Sequence, residues 1–534
     1  MNALSIVILA VCGIYMIVNF KHDLHMLQQN SYRAKRYWRW LGSDISSGWR
    51  MVDVAMLFLL FAHNLLPFQV ASLIIAIVCV TKIMLIARKK FKKPLVFTKR
   101  IWRLYGVTTA ITAGGIVALA ITTAHKTGIL YAYNGFQLTL GCILLICIFS
   151  WAFVILSLWI LSPVEKHINN RYKKDAKRIL KSMPDLKVIG ITGSYGKTST
   201  KHYLQRILSE SFETLMTPGS YNTPMGVVRT VREMMKPYTE IFICEMGAKQ
   251  KGDIKEICDI VNPQMGIITA VGPMHLETFK SIENVQATKF ELADAVPADG
   301  LVVVNNDFVN CANRKVENAE CIRYAIDNTN ASDYVAGDIK YSKEGTSFVI
   351  SDKEGKNYEF KTRLVGESNV SNLMAAIIIA LRLGVPMDKI QYAVGRIEQV
   401  QHRLSMATTP GGVTIIDDAF NSNPAGAKMA VDVLSQFGEG GRRIIVTPGM
   451  IELGKEQFNL NKKLGAYLGN NVDIAIIVGE YNREALNEGI KESALPEENL
   501  YNVDSFAEAQ KVLNGLLKSG DTVLYENDLP DSFK

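Results

Sequence analysis

The chain has 534 residues, 48% hydrophobic and 21% charged, enough for three or four domains. Its net charge of +8 is unevenly divided, with 23 Lys+Arg against 5 Asp+Glu in residues 1–182 and 36 against 46 in residues 183–534. The excess base lies between hydrophobic runs and the remainder is acidic, a pattern of membrane topology that argues against nucleic acid as a partner.

Four uncharged stretches, 1–20, 54–81, 105–124 and 127–164, are long enough to cross a bilayer core, which takes about 20 apolar residues. The second has a polar, proline-bearing middle, His63-Asn64-Leu65-Leu66-Pro67-Phe68-Gln69, suited to a tight hairpin turn. A hairpin there puts the basic segments 21–50, 82–103 and 165–182 on one side, as the positive-inside rule requires. The expectation is a multi-pass cell-membrane protein with five helical spans in 1–164, an outside N-terminus, a basic linker at 165–186 and a cytoplasmic C-terminal two-thirds. A cleavable signal peptide at 1–20 is disfavoured, because no basic n-region or small-x-small site precedes Lys21. No charged residue falls within the runs, so anchoring or lipid-substrate binding suits them better than ion transport. The eight cysteines show no CxxC spacing and read as reduced structural residues.

From residue 187 short β-branched runs (187–192, 240–247, 266–271 and 301–306) alternate with helical patterns, the mark of a parallel α/β sheet. Between the first strand and its helix lies a glycine-rich turn, Gly193-Ser194-Tyr195-Gly196-Lys197-Thr198-Ser199. Such a loop wraps a phosphate in backbone N–H groups at a helix N-terminus, with Lys197 for the terminal phosphates and Thr198 for Mg²⁺. Ile191 occupies the place of the first Walker glycine, so the spacing is G-x-x-G-K-T. Glu245 ends an apolar strand at the edge where a carboxylate can meet a metal, although strand position alone allows a structural role equally. His275 follows the next strand, where a lone histidine is more often a core or surface residue than a ligand. Lys289 has the spacing of an ordinary amphipathic-helix lysine.

These stretches occur in a fixed order: TGSYGKTST (192–200), NTPMG (222–226), EMGA (245–248), HLE (275–277), Lys289, GESNVSN (366–372), QHRLSM (401–406), DDAFNSNP (417–424) and MIELG (450–454). The series resembles the Mur ligases over about 187–526, and within them the branch that adds D-Ala-D-Ala to a UDP-MurNAc-tripeptide. The resemblance implies a central P-loop ATPase domain at 187–400 and a Rossmann-like C-terminal domain at 401–534, with strands at 412–417, 442–447, 472–479 and 521–526. It implies an ATP-dependent ligase that turns a carboxylate into an acyl phosphate, which an amine attacks to form a carbon–nitrogen bond. Gly193, Ser194, Gly196, Lys197, Thr198 and Ser199 would then hold the nucleotide, and Lys197, His275 and Lys289 would serve the reaction. Of two Mg²⁺ ions, one would lie on Thr198 and Glu245 and the second on His275 and a carbamylated Lys289, since a carbamate can ligate a cation where an ammonium cannot. Asn369 and Asn372 correspond to the asparagines near adenine, although Ser368 or Asn369 also suits a helix N-cap. Arg403 corresponds to an arginine that reaches the phosphates on domain closure, and Asp417 to an acid that binds the nucleotide from the closing domain. Asn421 and Asn423 would shape the turn that follows.

Departures fall on the substrate side. No uridine-binding domain is recognisable in 1–186, where the apolar helices stand. Pro448-Gly449-Met450 replaces Gly-Asp-Met, Glu526-Asn527-Asp528-Leu529-Pro530 replaces a Lys-Gly-Ser stretch, Ser368 replaces a common His and Phe420 a common Tyr. The expectation is a membrane-anchored, ATP- and Mg²⁺-dependent ligase joining a carboxylate acceptor, lipid-linked or otherwise part of a cell-wall precursor, to an amino acid or dipeptide amine. The alternatives are plain D-Ala-D-Ala addition to the soluble UDP-MurNAc-tripeptide, amide-linked polymer synthesis, and a nucleotide-gated membrane scaffold without ligation.

Overall fold

The computed structural model describes all residues except 1–2, 31, 47–49, 62–65, 90, 92–93, 126–134, 343–344, 401–402, 420–422, 437–439 and 529–534. The chain divides between Asn170 and Arg171 into two compact units.

The N-terminal unit is built from helices α1 (Ala3–Gln29), α2 (Ala34–Ser46), α3 (Met51–Phe61), α4 (Phe68–Arg88), α5 (Lys99–His125), α6 (Gly135–Ile148) and α7 (Ser150–Lys181), the last running on past the division. Its core packs Cys12, Tyr15 and Phe20 of α1 against Ile75 and Cys79 of α4 and Leu140, Leu144 and Cys147 of α6. Its surface exposes Val7, Phe58, Ile77, Trp102 and Trp159, an apolar exterior that suits lipid. Among the described residues three helices, α1, α4 and α7, are long and apolar enough to cross a membrane. Among the described residues the helices therefore do not clearly give five full spans. Met51–Leu60 and Phe136–Ile148 are apolar but short of the ~20 residues a crossing needs. The expected span within 127–164 is interrupted at Phe149, between α6 and α7, whereas α5 contains the whole uncharged stretch 105–124. The 28-residue run does divide, with Pro67 at the N-cap of α4, while part of the expected turn lies outside the described residues.

The unit is also less free of charge than the runs suggest. Charges just outside them are folded inward: Asp23, Arg50, Asp53 and Lys82 are all buried. Lys82 Nζ lies 2.9 Å from Asp53 Oδ1, which also accepts from Tyr15 Oη at 2.9 Å. Arg50 pairs with Asp23 at 2.6 Å and donates to Ser150 Oγ at 3.1 Å, and Asn19 Nδ2 donates to the same hydroxyl.

In the second unit the order is β1 (Lys187–Thr192), α8 (Lys197–Leu208), β2 (Thr214–Met216), α9 (Pro224–Met234), β3 (Ile241–Glu245), α10 (Asp253–Val261), β4 (Met265–Ile268), α11 (Leu276–Phe279), α12 (Ile282–Ala295), β5 (Leu301–Asn305), α13 (Val309–Ala312) and β6 (Glu320–Ala325). Next come β7 (Tyr334–Ser342), β8 (Gly345–Asp352), β9 (Asn357–Thr362), α14 (Glu367–Arg382) and α15 (Met387–Gly395). The described strands form one sheet in the order β2-β3-β1-β4-β5-β6-β7-β8-β9, parallel as far as β7 and antiparallel from β7 to β9. Strands β1, β3 and β5 are continuous apolar runs because helices cover both faces of the sheet.

The remainder holds β10 (Ser405–Thr408), β11 (Thr414–Asp418), α16 (Pro424–Gln436), β12 (Arg443–Thr447), α17 (Gln457–Asn471), β13 (Ile474–Val478), α18 (Arg483–Lys491), β14 (Leu500–Val503), α19 (Phe506–Leu516) and β15 (Thr522–Glu526). They form a second sheet, ordered β10-β11-β15-β12-β13-β14 and parallel apart from β10. In both sheets the C-terminal strand ends gather the polar residues, the edge where open α/β sheets bind ligands.

The buried Asp53–Lys82 pair yields a stability prediction. Removing one partner strands the other charge inside the unit, at a cost of about 3–5 kcal/mol. Lys82→Met should therefore markedly lower the thermal midpoint of the protein in detergent, and Lys82→Met with Asp53→Leu should recover most of the loss. A single variant that melts like wild type would show that the pair is not buried.

Candidate functional site

The loop from β1 to α8 owes its shape to two glycines. A Cβ at Gly193 would stand 2.1 Å from Thr269 Oγ1. Gly196 has φ +77° and forms the N-cap of α8, and a Cβ there would meet Asn372 Oδ1 at 2.2 Å. With no side-chain cap, the first N–H groups of α8 are left for an anion. Ser194 fastens the loop to the chain after β4: its N–H donates to Ala270 O at 2.7 Å and its hydroxyl to Gly272 O at 3.0 Å. Lys197 curls over the loop and donates to Gly193 O at 2.6 Å and Ser194 O at 3.2 Å. Burial, opposed by Glu245 and reinforced by Arg403, lowers the Lys197 ammonium to about 8. Ser199 is buried in the first turn of α8.

Glu245, buried at the end of β3, faces this loop. Thr198 Oγ1 is 3.2 Å from both of its carboxylate oxygens, and Asn222 Nδ2 donates to Oε1 at 3.0 Å. Lys201, one helical turn beyond Lys197 and fully buried, pairs with Oε2 at 3.0 Å and donates to Gly219 O at 2.7 Å. Burial raises the Glu245 carboxyl, but Lys201, Lys197 and Asn222 outweigh it and hold the group below the ordinary value. The carboxylate therefore stays ionised. A hydroxyl beside a carboxylate is a hard-oxygen donor set, which suits Mg²⁺.

His275 has φ +52° and begins the short helix α11. Its Nδ1 contacts Glu452 Oε2, which comes from the segment after β12. Burial lowers the imidazole further than Glu452 raises it, so the ring is neutral at pH 7. Lys289 is buried on α12, and burial together with the nearby Lys197 charge lowers it far below an ordinary lysine. It is also close enough to His275 to contribute to that ring's shift. Among the described residues, no three His, Cys, Asp or Glu side chains cluster tightly enough to hold a metal by themselves.

Helix α14 covers the loop from the other side. Thr200 Oγ1 donates to Asn372 Oδ1 at 3.2 Å and Tyr203 Oη to Asn369 Oδ1 at 2.7 Å. The N-cap of α14 is Gly366, without a side-chain cap bond, so neither Ser368 nor Asn369 fills that role. Arg403 shares its surroundings with Asp418, whose Oδ1 accepts from Leu404 N at 3.2 Å. Asp417 instead accepts from Ala419 N at 3.1 Å within its own turn. Burial lifts Asp418 to about 6 against the opposing Arg403 charge. On the adjoining strand, Glu526 pairs in register with Asp418 and accepts from Thr447 Oγ1 at 2.6 Å. Burial pushes Glu526 up to about 8. Asn421 lies outside the described residues, whereas Asn423 Oδ1 accepts from Gly426 N at 2.8 Å at the start of α16.

The structure thus brings Gly193, Ser194, Gly196, Lys197, Thr198, Glu245 and Asn372 around one loop. Sequence reasoning gave no role to Lys201, Glu452 or Asp418 and met Glu526 only as a departure on the substrate side. The available signal for Lys201 was its i+4 spacing from Lys197 on one helix face. The other three depend on contacts between segments distant in sequence, which no local pattern reveals.

Residues 191–380 match the model of the Mur ligase middle domain, and residues 402–525 that of the Mur ligase glutamate ligase domain. The chain is 28% identical over 345 residues to the UDP-N-acetylmuramoyl-tripeptide–D-alanyl-D-alanine ligase of Bacillus subtilis, covering 64% of this chain and 72% of that one. It is 32% identical over 299 residues to the enzyme of that name from Mycobacterium tuberculosis H37Rv, covering 55% of this chain and only 58% of the relative. Among solved structures, MurF from Acinetobacter baumannii superposes with a TM-score of 0.61 at 25% identity over 67% of this chain and 77% of that one. The MurF ligase of Thermotoga maritima, in complex with ADP, shares the fold with a TM-score of 0.61 at 24% identity, covering 67% and 80% of the two chains.

The raised Glu526 carboxyl gives a pH prediction. With its folded value near 8 above the ordinary 4.5, Glu526 favours the fold most below pH 4.5, and that advantage is lost as pH rises towards 8. Glu526→Gln should therefore gain stability relative to wild type between pH 5 and 8, read as a growing difference in thermal midpoint. A difference independent of pH would show that this carboxyl titrates normally.

Proposed function

Because this chain belongs to the Mur ligases, ATP-dependent enzymes that form carbon–nitrogen bonds, we propose that it converts a carboxylate to an acyl phosphate with ATP and joins it to an amine, releasing ADP and phosphate. The observation that carries this reading is the phosphate loop, with Lys197 and Thr198 facing an ionised Glu245. Bringing a carboxylate towards a γ-phosphate opposes two anions, so cations must converge there. Lys197 meets the terminal phosphates, with Gly193, Ser194, Gly196 and Ser199 forming the cradle. Thr198 and Glu245 would hold the nucleotide's Mg²⁺, and His275 and a carbamylated Lys289 would hold a second. Mg²⁺, when bound, neutralises the triphosphate and polarises it for transfer. The desolvation that depresses Lys289 favours its neutral amine, the form that adds CO₂ to give a carbamate and release a proton. Asn369 and Asn372 lie on the adenine side, and Arg403 and Asp417 engage the nucleotide from the C-terminal domain as it closes.

The acceptor is a cell-wall precursor and the catalytic domains are cytoplasmic, with the apolar helices as the membrane anchor. The three long apolar helices and the basic character of residues 1–182 support the anchor. They also support a lipid-linked carboxylate presented at the membrane. The names of the relatives support a second reading of the substrate, a soluble UDP-MurNAc-tripeptide with D-Ala-D-Ala as the amine. Against a close copy of that specificity stand Gly449 and Glu526 at the positions of the family's Asp and Lys.

Phosphate release from the purified full chain with ATP and Mg²⁺ tests this reading, with D-Ala-D-Ala supplied alongside either UDP-MurNAc-tripeptide or extracted lipid precursors. Stimulation by the soluble nucleotide supports the second substrate reading, and stimulation by the lipid fraction alone supports the first. Lys197→Ala should cut turnover by at least about 100-fold while the protein stays folded, and retained turnover would refute the phosphate-loop assignment. Lys289→Ala should lose most activity and regain part of it with added short carboxylic acids. Wild-type behaviour of that variant would eliminate the second-metal role.

A further inference from the structure

His275 is held from outside its own domain. The segment Met450–Gly454, which follows β12 in the C-terminal domain, docks on the turn His275–Glu277 of the central domain through three separate features. Glu452 Oε2 contacts His275 Nδ1. The backbone joins at the same place, with Glu277 N donating to Glu452 O at 3.4 Å. Gly454 makes this approach possible: at φ +65°, its Cβ would lie 3.2 Å from Glu277 N and 3.3 Å from Glu277 Cα. Lys249 Nζ stands 4.0 Å from Glu452 Oε1. Pro273, His275, Asn423, Ile451 and Glu452 line a small cleft at this contact.

We propose that Glu452 is a positioning residue. As an acceptor at Nδ1 it selects the Nδ1–H tautomer of His275 and leaves the Nε2 lone pair for a cation, so that His275 becomes a competent ligand only when the C-terminal domain is docked. The contact is thus an interdomain latch whose sensing element is the orientation of one imidazole. A histidine that ligates through one nitrogen is ordinarily fixed by a carboxylate or carbonyl on the other, and removing that partner costs about 10–100-fold in metal affinity. The inference rests on the proposed role of His275 towards a second Mg²⁺, and two independent readouts separate the two ideas.

The full chain, purified in detergent and labelled with ¹⁵N-histidine, reports the tautomer directly, with His275 assigned by its loss in His275→Gln. Wild type should show the Nδ1–H form, Glu452→Gln a partial change and Glu452→Ala a shift towards the Nε2–H form. Gly454→Ala, which disturbs the docking and leaves Glu452 in place, should shift His275 in the same direction. Wild-type His275 in the Nε2–H form, or Glu452→Ala identical to wild type, would overturn the positioning role. In parallel, Mn²⁺-dependent binding of a non-hydrolysable ATP analogue should need about 10-fold more Mn²⁺ in Glu452→Ala. If His275→Gln itself leaves the Mn²⁺ dependence unchanged, the ligand role of His275 fails, and the latch fails as a device for ligation even where the tautomer shifts. If wild type binds no analogue at all, the nucleotide reading fails instead.

Discussion

Glu245 carries a charge into the interior at the end of β3, and the centre of the molecule is arranged around satisfying it. An ionised carboxylate taken out of water loses several kcal/mol of hydration, which only close and simultaneous partners restore. Lys201, Thr198 and Asn222 are those partners, and they come from the first turns of α8 and the segment before α9. Satisfying Glu245 therefore fixes where α8 begins, and that start fixes the direction of the loop's N–H groups. Thr217, whose hydroxyl accepts from Glu245 N at 3.1 Å, holds the strand end from the opposite side. The same carboxylate that would meet a metal is thus also the keystone of the loop, and a substitution there disturbs shape and chemistry together.

The N-terminal unit solves a related problem in reverse. Its outer surface is apolar, while Asp23, Arg50, Asp53 and Lys82 are packed inside with Tyr15, Asn19 and Ser150. Between apolar helices, packing alone discriminates weakly between one rotation and another, because one aliphatic face resembles the next. Paired charges have no such freedom, since sliding a helix by one residue would separate them in a medium of low polarity. The ion pairs tie α1 to Arg50 just before α3 and α3 to α4, and Ser150 of α7 joins them by hydrogen bonds.

Much of this was legible from the sequence and the remainder was not, for identifiable reasons. Strands β1, β3 and β5 stand close to where apolar runs put them, because strands buried on both faces are continuously hydrophobic. The antiparallel extension β7–β9 escaped notice, since in strands such as Asn357–Thr362 most positions are exposed or half-buried and a polar pattern results. The phosphate loop was readable because its geometry is local: two glycines, one lysine and one threonine within six residues. Lys289 looked ordinary, since its distinguishing property is the low polarity of its surroundings, which belongs to the fold and not to its neighbours in sequence. The interaction of Arg403 with Asp418 was not visible in the sequence, because it depends on how the start of the C-terminal domain folds back beside the end of β11. The apolar helices differ from the charge-free stretches where such a stretch does not form one continuous helix. The stretch chosen as one span is broken at Phe149, just before the serine that joins the buried polar cluster.

The packing of α14 on α8 sets an order on how the protein matures. The side chains that close over the phosphate loop, Asn369 and Asn372, stand 166 and 172 residues along the chain from their partners Tyr203 and Thr200. Contacts of such long separation form late, because the entropy of closing the intervening loop is lost before they return any energy. On a ribosome, the apolar N-terminal helices are synthesised long before α14 exists. The loop residues emerge early as well, but they must wait for roughly the next 170 residues to be made before the fold can hold them in their final shape. The nucleotide site is thus a late product of synthesis, assembled only after the N-terminal helices have been made.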